Sequence, residues 1–127
     1  MSFLRILVVD DNLWIRRLLV TILDREGYHP IEARDGVEAM DLVRAEKFDG
    51  IILDLMMPRA DGFDVIRFLN AEKPELLPIT IVLTADSSRW DDPELSLVGK
   101  VVRKPFQMEE IIPLFSSTFR AGAARSD

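Results

Sequence analysis

The chain has 127 residues, of which 48% are hydrophobic and 30% charged, a composition typical of one globular domain with its own core. Because it has no cysteine, disulfides and zinc–thiolate sites are excluded. Its net charge of −6 argues against a general nucleic-acid-binding surface. No run approaches the ~20 apolar residues of a membrane span and the N-terminus lacks signal-peptide features, so we expect a cytoplasmic protein without a membrane partner.

The chain begins with a buried strand followed by an amphipathic helix. Residues 4–10 are rich in β-branched and apolar side chains, which predicts a strand covered on both faces. Residues 12–27 predict a helix, which Asn12 or Asp11 can cap. Its apolar positions share one face: Ile15, Leu18, Leu19, Ile22 and Leu23.

The next segments repeat this alternation of strand and helix. Residues 28–33 predict a weak strand, and Pro30 favours an edge position or a strand start because proline cannot donate to a sheet. Residues 35–46 predict a second helix and residues 49–55 a strongly buried strand. Residues 62–72 predict a third helix.

The last third of the chain continues the pattern with two irregular points. Residues 78–84 predict a buried strand and residues 100–104 a final strand. The turn-rich segment between them leaves room for one short helix near 93–97. The last helix, 107–119, contains Pro113, which lacks a backbone donor, so we expect a kink or an irregular start there.

Strand–helix alternation repeated five times predicts an α/β fold. The expected architecture is a doubly wound, five-stranded parallel sheet with helices on both faces. Ligands in such folds bind beyond the carboxyl ends of the strands, where the strand order reverses. Polar residues stand at those ends: Asp10, Asp11, Asp54, Thr84 and Lys104.

Each of these residues has an ordinary explanation when it is taken alone. An acid after a strand, such as Asp11, often only caps a helix, and Thr84 fits β-propensity. Their convergence at one edge favours a shared site. Because crowded carboxylates repel, one must hold a proton or a cation must intervene, and Mg²⁺ prefers oxygen ligands.

This set of residues makes chemical sense as a phosphoryl-transfer site. Asp54 beside a divalent cation can attack a phosphoryl group and form an aspartyl phosphate. The cation, the Lys104 ammonium and the Thr84 hydroxyl can each neutralise or bind one phosphoryl oxygen.

The sequence resembles the receiver domain of bacterial two-component response regulators, in the single-domain, chemotaxis-regulator-like form. The resemblance extends over about residues 4–119 and implies a flavodoxin-like strand order of 2-1-3-4-5. The residues and motifs that support it stand in the family's order: Asp10 and Asp11, D-x-x-x-P-x-x-D-G from Asp54 to Gly62, Thr84 in LTAD and Lys104 in RKPF.

The resemblance implies a role for each site residue. Asp54 would accept the phosphoryl group from a sensor histidine kinase or a histidine phosphotransfer protein, and Thr84 and Lys104 would contact that group. Asp11, Asp54 and the backbone carbonyl of Met56 would bind Mg²⁺, and Asp10 would act through water or orient the site. The Lys104–Pro105 peptide bond would be cis, a form that is nearly confined to X–Pro bonds.

The resemblance also implies how the signal leaves the domain. Phosphorylation would alter the surface of the fourth helix, the fifth strand and the last helix for an unknown downstream protein. Residues 1–120 would form the receiver and 121–127 a short tail without an output domain. We therefore expect a signalling module that is not an enzyme and does not bind DNA directly.

Departures from the family keep alternatives open. Many receivers have tyrosine or phenylalanine three residues before the lysine, where this chain has Val101, and Trp90 is a candidate to replace that ring. A pseudo-receiver scaffold that acts without phosphorylation is one alternative. An aspartyl-phosphate phosphatase would need a second aspartate at Met56, and a flavin carrier would need a Ser/Thr/Gly-rich loop where residues 10–14 read DDNLW.

Overall fold

The structure is a computed structural model that describes residues 3–85 and 87–119, so the predicted tail at 121–127 and its boundary lie outside the described residues. Strands and α-helices alternate along the described chain except between the fourth and fifth strands, which no α-helix separates. They are β1 (Arg5–Val9), α1 (Leu13–Arg25), β2 (His29–Ala33), α2 (Gly36–Ala45), β3 (Gly50–Asp54), α3 (Gly62–Glu72), β4 (Thr80–Thr84), β5 (Lys100–Arg103) and α4 (Met108–Thr118). Short 3₁₀ segments cover Pro74–Ile79, Ser87–Arg89 and Pro93–Leu97.

The five strands form one parallel sheet in the order β2-β1-β3-β4-β5. This confirms the predicted doubly wound fold and its strand order. The order reverses between β1 and β3, which pair in register from Ile6–Gly50 to Val9–Leu53. The crevice expected for a ligand therefore lies just beyond Val9 and Leu53.

The core has two layers, one on each face of the sheet. Leu7 and Val9 belong to the cluster that contains the buried hydrophobic residues of α2 and α3. Ile6 and Val8 belong to the cluster that contains those of α1 and α4. Since successive strand residues face opposite sides, a strand covered on both faces must be apolar at every position.

Helix α1 begins and packs largely as its sequence predicts. The Asn12 side chain accepts hydrogen bonds from the backbone N–H groups of Trp14 and Ile15, at 2.9 and 3.1 Å. Three of the five predicted core positions are buried: Leu19, Ile22 and Leu23. Leu18, predicted on the same face, is instead 47% exposed, because it lies at the margin of the apolar stripe.

The connection from β4 to β5 differs from a regular crossover helix. The short helix predicted near 93–97 is present as the 3₁₀ segment Pro93–Leu97, capped by Asp92, which accepts from Glu94 N–H at 2.9 Å. Within residues 87–99 the structure contains 3₁₀ segments and no α-helix. The surface expected from a fourth helix is therefore formed by 3₁₀ turns, and the fourth α-helix of this chain is the C-terminal one.

Helix α4 runs through Pro113, so the irregular start predicted at this residue is wrong. The helix begins at Met108, where Gln107 N–H donates to the Glu110 carboxylate at 3.0 Å. Proline at 113 removes the helical donor to the carbonyl of the exposed Glu109, and water can satisfy that group. The alternative expectation, a kink at Pro113, stays a prediction.

No helix in the described ranges is long and apolar enough to cross a membrane.

We expect Gly62→Ala to destabilise the domain by roughly 2 kcal/mol, because the added methyl overfills a tight turn. A Cβ at Gly62 would lie 2.6 Å from both the Asp54 carbonyl oxygen and the Leu55 Cα, and backbone atoms cannot move aside cheaply. Urea denaturation measures the free energy of unfolding. Asn70→Ala, at an exposed position of the same helix, is the matched control and should stay within experimental error of wild type. Equal midpoints for the Gly62→Ala variant and wild type would contradict the prediction.

Candidate functional site

Parallel pairing of β1 with β3 brings the predicted acids together. Asp10 follows β1 and is 1% exposed, and Asp54 ends β3 and is 4% exposed. Asp11 is exposed at the mouth of the crevice. Each of the three residues offers a carboxylate oxygen, and these oxygens lie within 4.8 Å of one another.

Lys104 follows β5, the edge strand on the opposite side of the sheet from β2, and its side chain extends to this cluster. Its Nζ lies 3.0 Å from Asp10 Oδ2 and 3.2 Å from Asp54 Oδ1. Its backbone N–H donates to the Thr84 carbonyl at 2.8 Å, which ties the end of β5 to the end of β4. The Lys104–Pro105 bond is cis, as predicted.

Thr84 and Met56 complete the edge around Asp54. Thr84 is buried at the end of β4, one residue beyond Leu83, which pairs with Asp54 across the sheet. Met56 is an exposed residue, and its backbone N–H donates to Asp54 Oδ1 at 3.4 Å. The structure thus gathers the six predicted site residues at one edge: Asp10, Asp11, Asp54, Met56, Thr84 and Lys104.

The pKa of Asp54 is set mainly by its burial and secondly by the neighbouring charges. Burial raises the pKa of its carboxyl to about 6, and repulsion from Asp10 acts in the same direction. The Lys104 ammonium and the Met56 N–H oppose this rise in pKa but do not cancel it. Two of the three neighbouring carboxylates, those of Asp10 and Asp54, share the Lys104 ammonium, so a hard divalent cation would fit a donor set made only of oxygen atoms.

Sequence reasoning missed Arg16, which holds Asp10 in place. Its Nη1 donates to the Asp10 carbonyl at 2.7 Å, and its Nε donates to Glu32 at 2.8 Å. In the sequence, Arg16 and Arg17 resemble the solvated polar face of an amphipathic helix. No local signal distinguishes Arg16, because its partners come from β2 and the end of β1.

An aromatic ring, that of Trp90, lies near Val101. Val101 lies on β5, and together with Trp90 it lines a surface cavity of about 360 Å³. The Trp90 ring is stacked beneath the Arg103 guanidinium, 4.9 Å from the ring centroid. The suggestion that Trp90 replaces the usual ring stays a prediction, and this proximity is compatible with it.

Comparison with known proteins matches residues 6–115 to the response regulator receiver domain. The response regulator MprA of Mycobacterium avium (strain 104) is 35% identical over 125 residues, which is 98% of this chain and 54% of that protein. MprA of Mycobacterium tuberculosis (strain ATCC 25177 / H37Ra) is 37% identical over 117 residues, 91% of this chain and 50% of that protein. The chain therefore spans about half the length of these curated relatives.

Solved structures show the same similarity over nearly the whole chain. Response regulator protein TrrA of Thermotoga maritima, crystallised in complex with Mg²⁺–BeF, is 33% identical with a TM-score of 0.84, covering 91% of this chain and 99% of that one. The chemotaxis response regulator CheY4 of Vibrio cholerae is 27% identical with a TM-score of 0.82, covering 92% and 99%. The family match over residues 6–115 agrees with the strand order and with the acidic crevice. The chain therefore belongs to the response regulator receiver domain family of two-component signalling.

Proposed function

We propose that this receiver domain is switched by phosphorylation of Asp54 from a phosphohistidine donor. The donor would be a sensor histidine kinase or a histidine phosphotransfer protein. The observation that supports this most directly is the position of Asp54: a buried carboxylate at the strand-order reversal, 3.2 Å from the Lys104 ammonium. Such a group is shielded from bulk water yet lies at the open end of the sheet.

The residues around Asp54 fit a Mg²⁺ site. Asp11, Asp54 and the Met56 carbonyl would bind the ion directly, and Asp10 would act through a bound water. When bound, the ion would neutralise the crowded acids and one phosphoryl oxygen. The Mg²⁺–BeF complex of the similar Thermotoga protein supports a Mg²⁺ site in this domain.

Transfer needs little covalent chemistry from the protein. A carboxylate oxygen of Asp54 forms a bond to phosphorus while the bond from phosphorus to the donor imidazole nitrogen breaks, so the histidine leaves as the neutral ring after proton uptake. Lys104 and Thr84 would receive the negative charge on the phosphoryl oxygens. Asp54 must be ionised to attack, and its contact with Lys104 favours that form.

The signal would pass to a downstream protein through the 3₁₀ turns after β4, through β5 and through α4. Thr84 and Lys104 sit at the ends of the two strands that border this surface. The net charge of −6 favours a protein partner over DNA. We propose a signalling role rather than a catalytic one. A scaffold that acts without phosphorylation is the second candidate, since Val101 replaces the usual ring.

The test is exposure of the domain to acetyl phosphate with Mg²⁺, followed by intact-protein mass spectrometry. We expect a gain of one phosphoryl group, its complete loss in Asp54→Asn, and its absence without a divalent cation. Circular dichroism of the variant confirms that the fold is kept. An unmodified, folded domain that still binds Mg²⁺ would reject the proposal and favour the scaffold.

A further inference from the structure

The β3–α3 loop, residues 55–61, connects the phosphoacceptor candidate to the next helix. Its ends are fixed by backbone hydrogen bonds: Leu55 N–H donates to Leu83 O at 3.3 Å, and Gly62 N–H donates to Leu55 O at 2.9 Å. Between these ends Met56 and Arg59 are exposed. Beyond Met56, the loop residues Arg59 and Ala60 contact another element of the fold.

That other element is the N-terminus of α2. The Arg59 guanidinium forms an ion pair with the Asp35 carboxylate. At the next residue, Gly36 N–H donates to the Ala60 carbonyl at 3.2 Å. Two neighbouring loop residues are therefore attached to two neighbouring residues at the start of one helix.

Asp35 is a rigid anchor for this attachment. It is 5% exposed, and its Oδ1 caps α2 by accepting from Glu38 N–H at 2.8 Å, which leaves Oδ2 for Arg59. The bond from Glu38 N–H, followed by the contact with Arg59, holds the pKa of Asp35 below its usual value although burial acts against it. The anchor is thus both fixed in position and ionised at neutral pH.

The loop conformation is one that its own sequence does not favour. Arg59 has a φ of 68°, in the left-handed region that side chains with a Cβ rarely adopt. The two backbones also approach closely, since a Cβ at Gly36 would lie 2.4 Å from the Ala60 oxygen. An unfavourable conformation of this kind persists where surrounding contacts hold it.

We infer that Asp35 and Arg59 are positioning residues for the metal site: by holding the β3–α3 loop against α2, they set the place of the Met56 carbonyl and so the affinity for Mg²⁺. The inference rests on the proposed function, because it takes that carbonyl as a Mg²⁺ ligand. Asp35 and Arg59 should affect the reactivity of Asp54 only by changing how tightly Mg²⁺ is bound. Outer residues that orient ligands in this way typically change metal affinity by about 10- to 100-fold when they are mutated.

The experiment is a titration with Mg²⁺ alone, followed by amide chemical shifts in NMR spectra of the folded domain. Arg59→Ala and Asp35→Asn are each expected to weaken Mg²⁺ binding by about 10-fold, the low end of such effects, and Arg59→Lys should recover part of the loss. Asparagine still caps a helix, so Asp35→Asn tests the ion pair rather than the cap. Phosphorylation by acetyl phosphate should slow in these variants at low Mg²⁺ and return to the wild-type rate at saturating Mg²⁺.

Arg44→Ala is the matched control. Arg44 also links α2 to α3, through an exposed ion pair with Glu72 at 3.2 Å, but at the C-terminal ends of both helices, away from the site. It should bind Mg²⁺ as wild type does.

Two results would overturn the inference while the proposed function stands. One is wild-type Mg²⁺ affinity in Arg59→Ala. The other is a loss of Mg²⁺ affinity in Arg44→Ala as large as that in Arg59→Ala, which would indicate a general effect of lower stability. A wild-type domain that binds no Mg²⁺, or an Asp54→Asn variant that binds it equally well, would instead reject the metal site, and the inference with it.

Discussion

Lys104→Met should lower the free energy of unfolding by about 3 kcal/mol at pH 8 in metal-free buffer, because removing one partner of a buried ion pair leaves the other charge uncompensated. The Lys104 side chain is 13% exposed, and the side chains of its partners Asp10 and Asp54 are almost fully buried. Methionine keeps the length and apolar stem of lysine, so the loss should come from charge and not from volume. Urea denaturation measures it.

Lys100→Met is the control for this experiment. Lys100 lies on the same strand but is exposed, so its replacement should change stability by less than about 0.5 kcal/mol. The Lys104 variant should also accept little phosphoryl group from acetyl phosphate, since the charge that forms on the phosphoryl oxygens loses its ammonium partner. A Lys104→Met variant as stable as wild type at pH 8 would show that the two acids are not held by this lysine.

Asp54→Asn should have the opposite effect and raise stability by about 2 kcal/mol at pH 8 in the absence of Mg²⁺. The pKa of Asp54 is raised to about 6 from an ordinary 3.8, mainly by burial, and such a difference corresponds to at most about 3 kcal/mol. Because the folded-state pKa lies above the unfolded one, the carboxylate destabilises the fold above about pH 6. Protonation removes that penalty as the pH falls toward 4. The gain from asparagine should therefore be large at pH 8 and small at pH 4.5.

Denaturation curves at both pH values, with a chelator present, test this expectation. Added Mg²⁺ should stabilise wild type and have much less effect on Asp54→Asn, since a ligand that binds only the folded state raises the free energy of unfolding. Asp24→Asn, at an exposed position of α1, should show no such gain. A loss of stability at pH 8, or a gain of the same size at both pH values, would contradict the raised pKa of Asp54.

The predictions for Lys104→Met and Asp54→Asn test the same excess of negative charge, which the first variant increases and the second reduces. Three acids and one lysine lie close together at the edge of a sheet whose apolar core residues are buried on both faces. Removing the lysine increases the repulsion, and removing the central acid relieves it. A divalent cation would neutralise the remaining negative charge and so prepare the site for an anionic phosphoryl group, which relates the stability of the domain to its proposed function.

Much of the site was predictable because strand pairing in this fold class follows general rules. Continuous apolar runs predicted strands buried on both faces, and parallel strands bring their carboxyl ends to one edge. Asp10 and Asp54 therefore had to lie near each other once β1 and β3 were neighbours. The short turn at Pro93–Leu97 was equally predictable, since proline after a capping aspartate is a local signal.

Only the tertiary structure decided the contacts between residues far apart in the chain. The pair of Arg59 with Asp35 spans 24 positions, and Lys104 reaches Asp10 across 94. The exposure of Leu18 and the regular start of α4 before Pro113 were likewise not determined by periodicity. Local sequence encodes which face of an element is apolar and where it begins, because backbone hydrogen bonding and side-chain spacing act over a few residues. Which charged group meets which depends on how loops and helices pack on the sheet, and that packing is a property of the whole chain.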